Sequence, residues 1–579
     1  MQSNKTFYSL ALLCSVAVSF ALYANSLHGA FLYDDDLFNE RPELRQAWHL
    51  PKIWTESYVI TNPGSGIYRP VATTSFSLNY ILFGPSSTSF HVINVLLNGL
   101  VVFCVFLLMM ELFGEPGLAA ITALVFAFFP IHTMALDYIK SRDDLLGALA
   151  VLISWLAFLR LLAAGEKGRK RYAWAVASAV FYFLALGSKE LTVIAPVLFV
   201  LSAFVVKAKL TWKRFFSWVA LYFVPLAFYM ALRVIAIGKY AWSNNTQEKF
   251  LINPLQQESF WTGIWTAFKI AYINIGKTII PVNLSSDYGF NQITFAHNPF
   301  QSVTVWIGLG LLAALVYFVA RKKWRWTAAG VGAMFFLVSY FFISKFFLRN
   351  SGEMVEENWM YFPSLGFAMI MAYGAVWLYR RQKAAAIIIV AVVLAWYGWV
   401  VIRRNPTWRS EQSFFESMSA TSPNSWQGHY NLALVYGRDD QDVARAKQEA
   451  ERAYQIYPKD LQDLLILAGI AINNDNDPEL AIKYSNEALQ INSQYVDAHK
   501  FLAYAMAKEG RYEEALPYLN ILLQYRPNDR QFNLLAALCN YKLGRIAEAR
   551  KHFGWDPTLT DQQKIEILDS FEPQDLMVK

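Results

Sequence analysis

The sequence predicts an all-α chain, a polytopic membrane region followed by a solenoid of paired helices, and three observations predict it. The 579 residues are 55% hydrophobic, 16% aromatic and only 16% charged, too apolar for one soluble globule and too apolar for disorder. Apolar runs of about 20 residues, enough to cross a bilayer, recur through residues 1–410. Beyond 410, amphipathic helical patterns return with a period of about 34 residues. Charge divides at the same place: residues 411–579 carry 17 Lys/Arg against 25 Asp/Glu, and residues 1–410 carry 34 against 19. The basic groups lie in short loops between apolar runs, not along one groove, which argues against nucleic-acid binding. Cys14, Cys104 and Cys539 are too few and too scattered for a disulfide framework or a zinc site and read as small buried apolar residues.

The first apolar run, Phe7 to Leu27, has no charge. Lys5 before it and Ser19, Ala21 and Ala24 near its end would also suit a cleaved signal peptide, but the runs that follow favour an uncleaved span. These fall at 90–113, 118–136, 144–163, 172–187, 191–206, 215–237, 301–320, 327–345, 361–379 and 384–402, for about 11 transmembrane helices in all. Lys167/Arg169/Lys170/Arg171, Lys207/Lys209/Lys213/Arg214, Arg321/Lys322/Lys323/Arg325 and Arg380/Arg381/Lys383 mark the cytoplasmic side. All four clusters share that side only if 261–281 does not cross. Lys269 and Lys277 suit an interfacial or re-entrant helix there. The outer compartment then holds the loops 28–89, 238–300 and 346–360, the turn 137–143, Ser188–Glu190 and everything after about 403.

The tail is a repeat array. Gly510-Arg511 recurs as Gly544-Arg545, Ala481 as Ala515 and Ala549, and Pro458 and Pro527 stand at unit ends. Small residues where paired helices touch, with a proline closing each pair, form the tetratricopeptide signature. Three full repeats and an imperfect fourth are expected, near 425–458, 459–492, 493–526 and 527–560. Stacked helix pairs make a concave surface suited to peptides or other proteins. No nucleophile or metal constellation appears in this domain, so it binds rather than reacts.

The chemistry concentrates at the outer surface of the membrane region. Three adjacent carboxylates, Asp34, Asp35 and Asp36, follow the first span. Crowded like charges raise a carboxyl's proton affinity, attract a cation or serve a base, although an acidic helix cap would read the same way. Tyr68-Arg69-Pro70, His132, Arg142 with Asp143 and Asp144, Lys189-Glu190 and Glu356-Glu357 stand on the same face. Ionisable groups beside a bilayer are functional candidates by default, with salt bridges between spans as the structural alternative, strongest for Glu190. A carboxylate base amid cations suits transfer from an anionic lipid-linked donor, the base taking a hydroxyl proton while the cations hold a departing phosphate.

Taken together, these motifs resemble the transmembrane and tetratricopeptide-repeat mannosyltransferases, relatives of the protein O-mannosyltransferases in the C-type glycosyltransferase (GT-C) superfamily. The resemblance rests on Phe31-Leu32-Tyr33-Asp34-Asp35, Tyr68-Arg69-Pro70, Leu78-Asn79-Tyr80, Phe90 to Asn98, Pro130-Ile131-His132-Thr133, Arg142 with Asp144-Leu145-Leu146, Lys189-Glu190, Pro281 to Ser285 with Asp287, and Glu357 with Tyr361, Pro363, Ser364 and Gly366. It departs at Glu357-Asn358, where the family has Glu-Arg, at Asp143, where it has Ala, and in its short repeat array. The resemblance implies a GT-C fold, a polyprenyl-phosphate sugar donor carrying mannose, and Ser or Thr hydroxyls of exported proteins as acceptors. It implies an inverting single displacement with Asp34 as base and Asp35 as second choice. Arg142, Lys189 and more weakly Arg69 become donor-phosphate contacts. Asp36, Tyr68, His132, Asp144, Glu190 and Glu357 take supporting roles. No cofactor is required, and a divalent cation near the carboxylates is allowed without any ligand spacing demanding one.

Two rivals stay open: the same chemistry on a glycolipid or cell-wall polymer, and a non-catalytic membrane-anchored repeat scaffold. Transport would place charges deep within spans, where few occur. The short N-terminus and compact loops favour a bacterial inner membrane with site and repeats facing the periplasm, or the lumen in a eukaryote. Asn244-Asn245-Thr246 fits a glycosylation sequon.

Overall fold

The computed structural model describes residues 2–60, 65–164, 168–208, 211–242, 250–347, 349, 352–438, 442–553 and 559–570, with side chains from Thr6 onward. Lys167, Lys209, the Asn244–Thr246 sequon and the side chain of Lys5 lie outside the described residues. All regular secondary structure among the described residues is helical, with no β-strand. They divide into two compact units, Met1–Ser422 and Pro423–Lys579. The division falls after Ser422 rather than at 410. The Glu411–Thr421 helix packs with the first unit, where Thr421 and Ser422 hydroxyls each donate to Ser285 Oγ at 2.8 Å.

In the first unit, six helices are long and apolar enough to cross a membrane: Thr6–Ser26, Ser87–Phe113, Ile139–Ala163, Trp212–Ala241, Val303–Ala320 and Lys383–Trp408. A seventh is the pair Pro116–Phe128 and Pro130–Asp137, bent by 52°, where Pro130 cannot continue the helical hydrogen bonding. Length and composition therefore support six or seven spans among the described residues, not about eleven. The expected spans 191–206, 327–345 and 361–379 become helices Ala195–Val205, Ala328–Tyr340 and Ser364–Tyr379. At 1.5 Å per residue these fall short of a hydrocarbon core of about 30 Å. Arg169–Ser188, covering the expected span 172–187, does not pass the same test. Phe260–Ile279 forms one 20-residue helix whose Lys269 ammonium donates to the Thr294 carbonyl at 2.8 Å.

Close packing holds this unit together. A Cβ placed on Gly332 would lie 2.4 Å from the Gly366 carbonyl oxygen, and one on Gly366 the same distance from that of Gly332. Two helices without a hydrophobic drive between them associate through such small-residue contacts. Trp155 stacks on Phe335 at 5.9 Å and donates its indole N–H to Ser202 Oγ at 2.9 Å.

In the second unit the helix pairs are Trp426–Gly437 with Val443–Ile456, Leu461–Asn473 with Pro478–Ile491, Val496–Lys508 with Tyr512–Tyr525, and Arg530–Lys542 with the six-residue Ile546–Lys551. The short partner is the imperfect fourth repeat. Ala481, Ala515 and Ala549 are fully buried, because any larger side chain there would separate the paired helices. Gly510 and Gly544 have φ of +76° and +75°, a left-handed helix end that glycine adopts without a Cβ penalty. Asp460, Asp477 and Asp529 cap the helices that follow them with side-chain oxygens.

Candidate active site

The turn after the first helix presents the acidic cluster. Leu32 is extended and Tyr33 takes φ +50°, an unusual backbone for a bulky residue that reverses the chain and separates the three carboxylates. Asp35 turns inward and is 1% exposed. Its Oδ2 accepts the Leu32 N–H and its Oδ1 the Lys140 N–H, both at 2.8 Å. Burial pushes its carboxyl up to about 8 against the pull of those two N–H groups. With both oxygens clasping backbone, Asp35 is a buried staple between two loops and not an accessible second base. Asp36 is exposed.

Asp34 lies between these extremes. Its side chain is one-third exposed and ion-pairs with Lys140, while its backbone N–H donates to the Tyr138 hydroxyl at 3.0 Å. It combines access with a positioned cation, where Asp35 is buried against backbone. Lys140 was passed over in the sequence although it stands in the same 137–143 turn as Arg142. Its side chain keeps 24% exposure.

The three cations assigned to a donor phosphate are committed elsewhere. Arg142 is wholly buried. Its guanidinium donates to Asn94 Oδ1 at 2.7 Å, Asn79 Oδ1 and the Phe90 carbonyl at 3.0 Å each, and Ser75. It also lies 4.9 Å from the ring centres of both Phe76 and Phe90. Every edge of the fork is used, so its phosphate role is withdrawn: Arg142 ties the Pro70–Phe83 and Ser87–Phe113 helices to its own. Arg69 meets Asp143 Oδ2 at 2.5 Å and Glu190 through two bonds of 2.6 and 3.0 Å. Lys189, 4% exposed, meets Asp144 at 2.6 Å and Asp143 at 3.6 Å. Both are neutralised by carboxylates, and Glu190 proves to be Arg69's partner. Asn358, standing where arginine was expected, donates to Asp144 Oδ2 at 3.0 Å.

Two residues that sequence reasoning missed stand between these charges. Tyr58 is 5% exposed, and its hydroxyl is buried without a hydrogen-bond partner. The Arg69 guanidinium lies over its ring at 5.6 Å. Burial keeps its phenol protonated, and its charged neighbours are Asp143, Arg69, Lys140 and Asp34. It therefore bridges the Asp34–Lys140 pair and the Arg69–Asp143 pair. Glu353 has a buried Oε2 with no hydrogen-bond partner. Burial, with Glu356 and Asp287 nearby, lifts its carboxyl well above the usual range, and Lys140 only partly opposes this. No motif signalled either residue. Only folding brings positions 58 and 353 to position 34.

The remaining supporting residues are structural. The Tyr68 hydroxyl donates to the Trp54 carbonyl at 2.6 Å. His132 Nε2 lies 2.8 Å from Ser364 Oγ, packed by Phe126, Phe129 and Tyr361. Glu357 Oε1 accepts from the Ser285 N–H and the Tyr288 hydroxyl, and Oε2 pairs with Arg404 at 2.6 Å. Asp144, Lys189, Trp359, Phe362, Ser339 and Ile343 line a small cleft of about 40 Å³. In the acidic turn an ammonium pairs with Asp34 and backbone N–H groups occupy both Asp35 oxygens. Among the described residues no three His, Cys, Asp or Glu side chains are grouped to hold a metal.

A tetratricopeptide-repeat family model matches residues 474–539. The chain is similar to the human protein O-mannosyl-transferase TMTC1, 24% identical over 498 residues covering 76% of this chain and 54% of that protein. It is also similar to the Xenopus laevis protein O-mannosyl-transferase tmtc2, 24% identical over 79% of this chain and 63% of that protein. The chain thus spans between half and two thirds of the length of these relatives. Among solved structures, the MamA protein matches with a TM-score of 0.24 and 17% identity, over 28% of this chain and 85% of that one.

Proposed function

We propose that this chain is a membrane glycosyltransferase that moves a sugar, mannose by the names of its relatives, from a polyprenyl-phosphate donor to Ser or Thr hydroxyls of proteins. The observation that carries the reading is Asp34: a partly exposed carboxylate on a turn with a left-handed residue, paired with Lys140, with the unpartnered Tyr58 hydroxyl in the same charged neighbourhood. In the step, the acceptor oxygen attacks the anomeric carbon and the bond to the phosphate breaks. Asp34 takes the acceptor's proton, and the phosphate keeps the bonding electron pair. Lys140, the accessible cation beside the base, offsets the negative charge that the departing phosphate gains. The Tyr58 phenol is free to donate a hydrogen bond to the sugar or phosphate. The repeat unit engages the acceptor polypeptide, and the site faces the compartment away from the cytoplasm.

The test is release of polyprenyl phosphate from polyprenyl-phosphate mannose by the purified chain with a Ser/Thr-rich acceptor peptide. Asp34→Asn should lower the rate by about 10²–10⁴, the usual worth of a positioned base. Tyr58→Phe should reduce it less, and the exposed Asp36→Asn should leave it near native. Native turnover by Asp34→Asn would remove the base and, with it, this reading.

A further inference from the structure

A second site lies apart from the acidic turn, at the C-terminal end of the Lys383–Arg404 helix. An open cleft of about 350 Å³ is lined there by Pro281, Val282, Leu284, Trp396, Trp399 and Arg403, among others. Positions 396, 399, 400 and 403 follow the i, i+3, i+4, i+7 spacing that puts side chains on one helix face. The opposite wall is the 281–284 loop, held in place by the Lys277 ammonium, which donates to the carbonyls of Val282 and Asn283.

The two neighbouring arginines differ sharply. Arg404 is anchored to Glu357 Oε2 at 2.6 Å and to Thr133 Oγ1 at 2.7 Å. Arg403 is exposed. Among the described residues it has neither a hydrogen bond nor an ion pair, and its guanidinium lies 5.6 Å from the Trp399 ring centre. Ile388, Val392, Trp399 and Ile402 are 61%, 61%, 59% and 48% exposed, an apolar stripe on a helix long enough to cross the membrane. The cleft therefore opens where a hydrocarbon-facing surface ends in an indole and an uncompensated cation. Indole rings settle at the headgroup level, and an arginine fork there matches a phosphate bidentately.

We propose that this cleft binds the phosphate headgroup of an anionic phospholipid, with Arg403 on the phosphate and Trp396 and Trp399 against the glycerol and upper acyl chain. The site is independent of the transferase reading. It requires no turnover and uses none of the residues around Asp34.

The test is native mass spectrometry of the full chain released from mild detergent, with phosphatidylglycerol or phosphatidylcholine of identical acyl chains. Phosphatidylglycerol adducts should exceed phosphatidylcholine adducts by about fivefold, the worth of one interfacial arginine against an anionic headgroup. Arg403→Gln should remove that preference and Arg403→Lys should keep most of it. Arg321→Gln, at an exposed arginine on another helix end, should leave it unchanged. Equal retention of the two lipids, or an undiminished preference in Arg403→Gln, overturns the proposal. So does displacement by inorganic phosphate or glycerol phosphate, which would make the cleft a free-phosphate site. Displacement by an equal amount of polyprenyl phosphate overturns it as well, assigning the cleft to a donor instead.

Discussion

Charged groups behave oppositely in the two units. In Met1–Ser422 three arginines that join distant segments are buried: Arg142 among Asn94, Asn79 and two phenylalanine rings, Arg69 between Asp143 and Glu190, and Arg404 against Glu357, while Arg160 with Glu111 and Arg380 with Glu115 are exposed pairs. In Pro423–Lys579 most pairs join residues close in sequence on exposed surfaces, such as Arg511 with Glu514 and Lys551 with Glu548. A buried charge must have every polar atom satisfied or it destabilises the fold. An exposed pair is solvated with or without its partner. In the first unit, then, an accessible charge is informative where its sequence neighbours are buried and committed, as Asp34 is beside Asp35, Lys140 beside Arg142, and Arg403 beside Arg404.

The largest effect that would sharpen this contrast is Arg142→Ala. It leaves the amide oxygens of Asn79 and Asn94 without the guanidinium donor and opens a cavity between two rings. A loss of about 3–5 kcal/mol is expected, read as a strongly lowered unfolding midpoint in detergent. A midpoint near native would show that water already serves those acceptors.

A smaller effect is expected at Asp463, a buried carboxylate in the repeat unit. Its carboxylate is fully buried with no hydrogen-bond partner, and burial, with Asp460 beside it, pushes the group up to about 8. The folded chain therefore holds a proton there that the unfolded chain releases above about pH 4. The native contribution declines as pH rises from about 4 to 8. Asp463→Asn removes that decline, so its unfolding midpoint relative to native should improve from pH 5 to pH 8. A pH-independent difference would place the group in contact with water.

The smallest effect is Arg511→Ala, which deletes an exposed pair. The unfolding midpoint should not move measurably. A clear drop would mean that surface pairs in this unit act as a network.

Much of this was legible along the chain. The Ala481, Ala515 and Ala549 series, with Gly510 and Gly544, marked the repeats because helix pairing demands small residues and left-handed ends at fixed intervals. The Asp34-Asp35-Asp36 run marked the acidic turn. Legibility failed where neighbours in sequence have different fates. Asp34 and Asp35 read alike, yet one faces out and the other binds two backbone N–H groups. Arg142 and Lys140 lie two residues apart, and the less conspicuous one kept its access. Apolar runs and helix lengths diverge for a related reason: helices packed inside a bundle can be apolar without being long, and 327–345 and 361–379, read as spans, hold helices of 13 and 16 residues.

Composition and periodicity alone determined the all-helical class, the apolar region, the repeat array and the pool of polar residues near the first loop, since these depend on local propensity and on which faces must avoid water. Which carboxylate is free, which cation is satisfied, and that Tyr58 and Glu353 join Asp34 were decided only by tertiary structure. Burial and hydrogen-bond saturation are properties of side chains converging from segments some 25 to 320 residues apart, and nothing in the linear order records them.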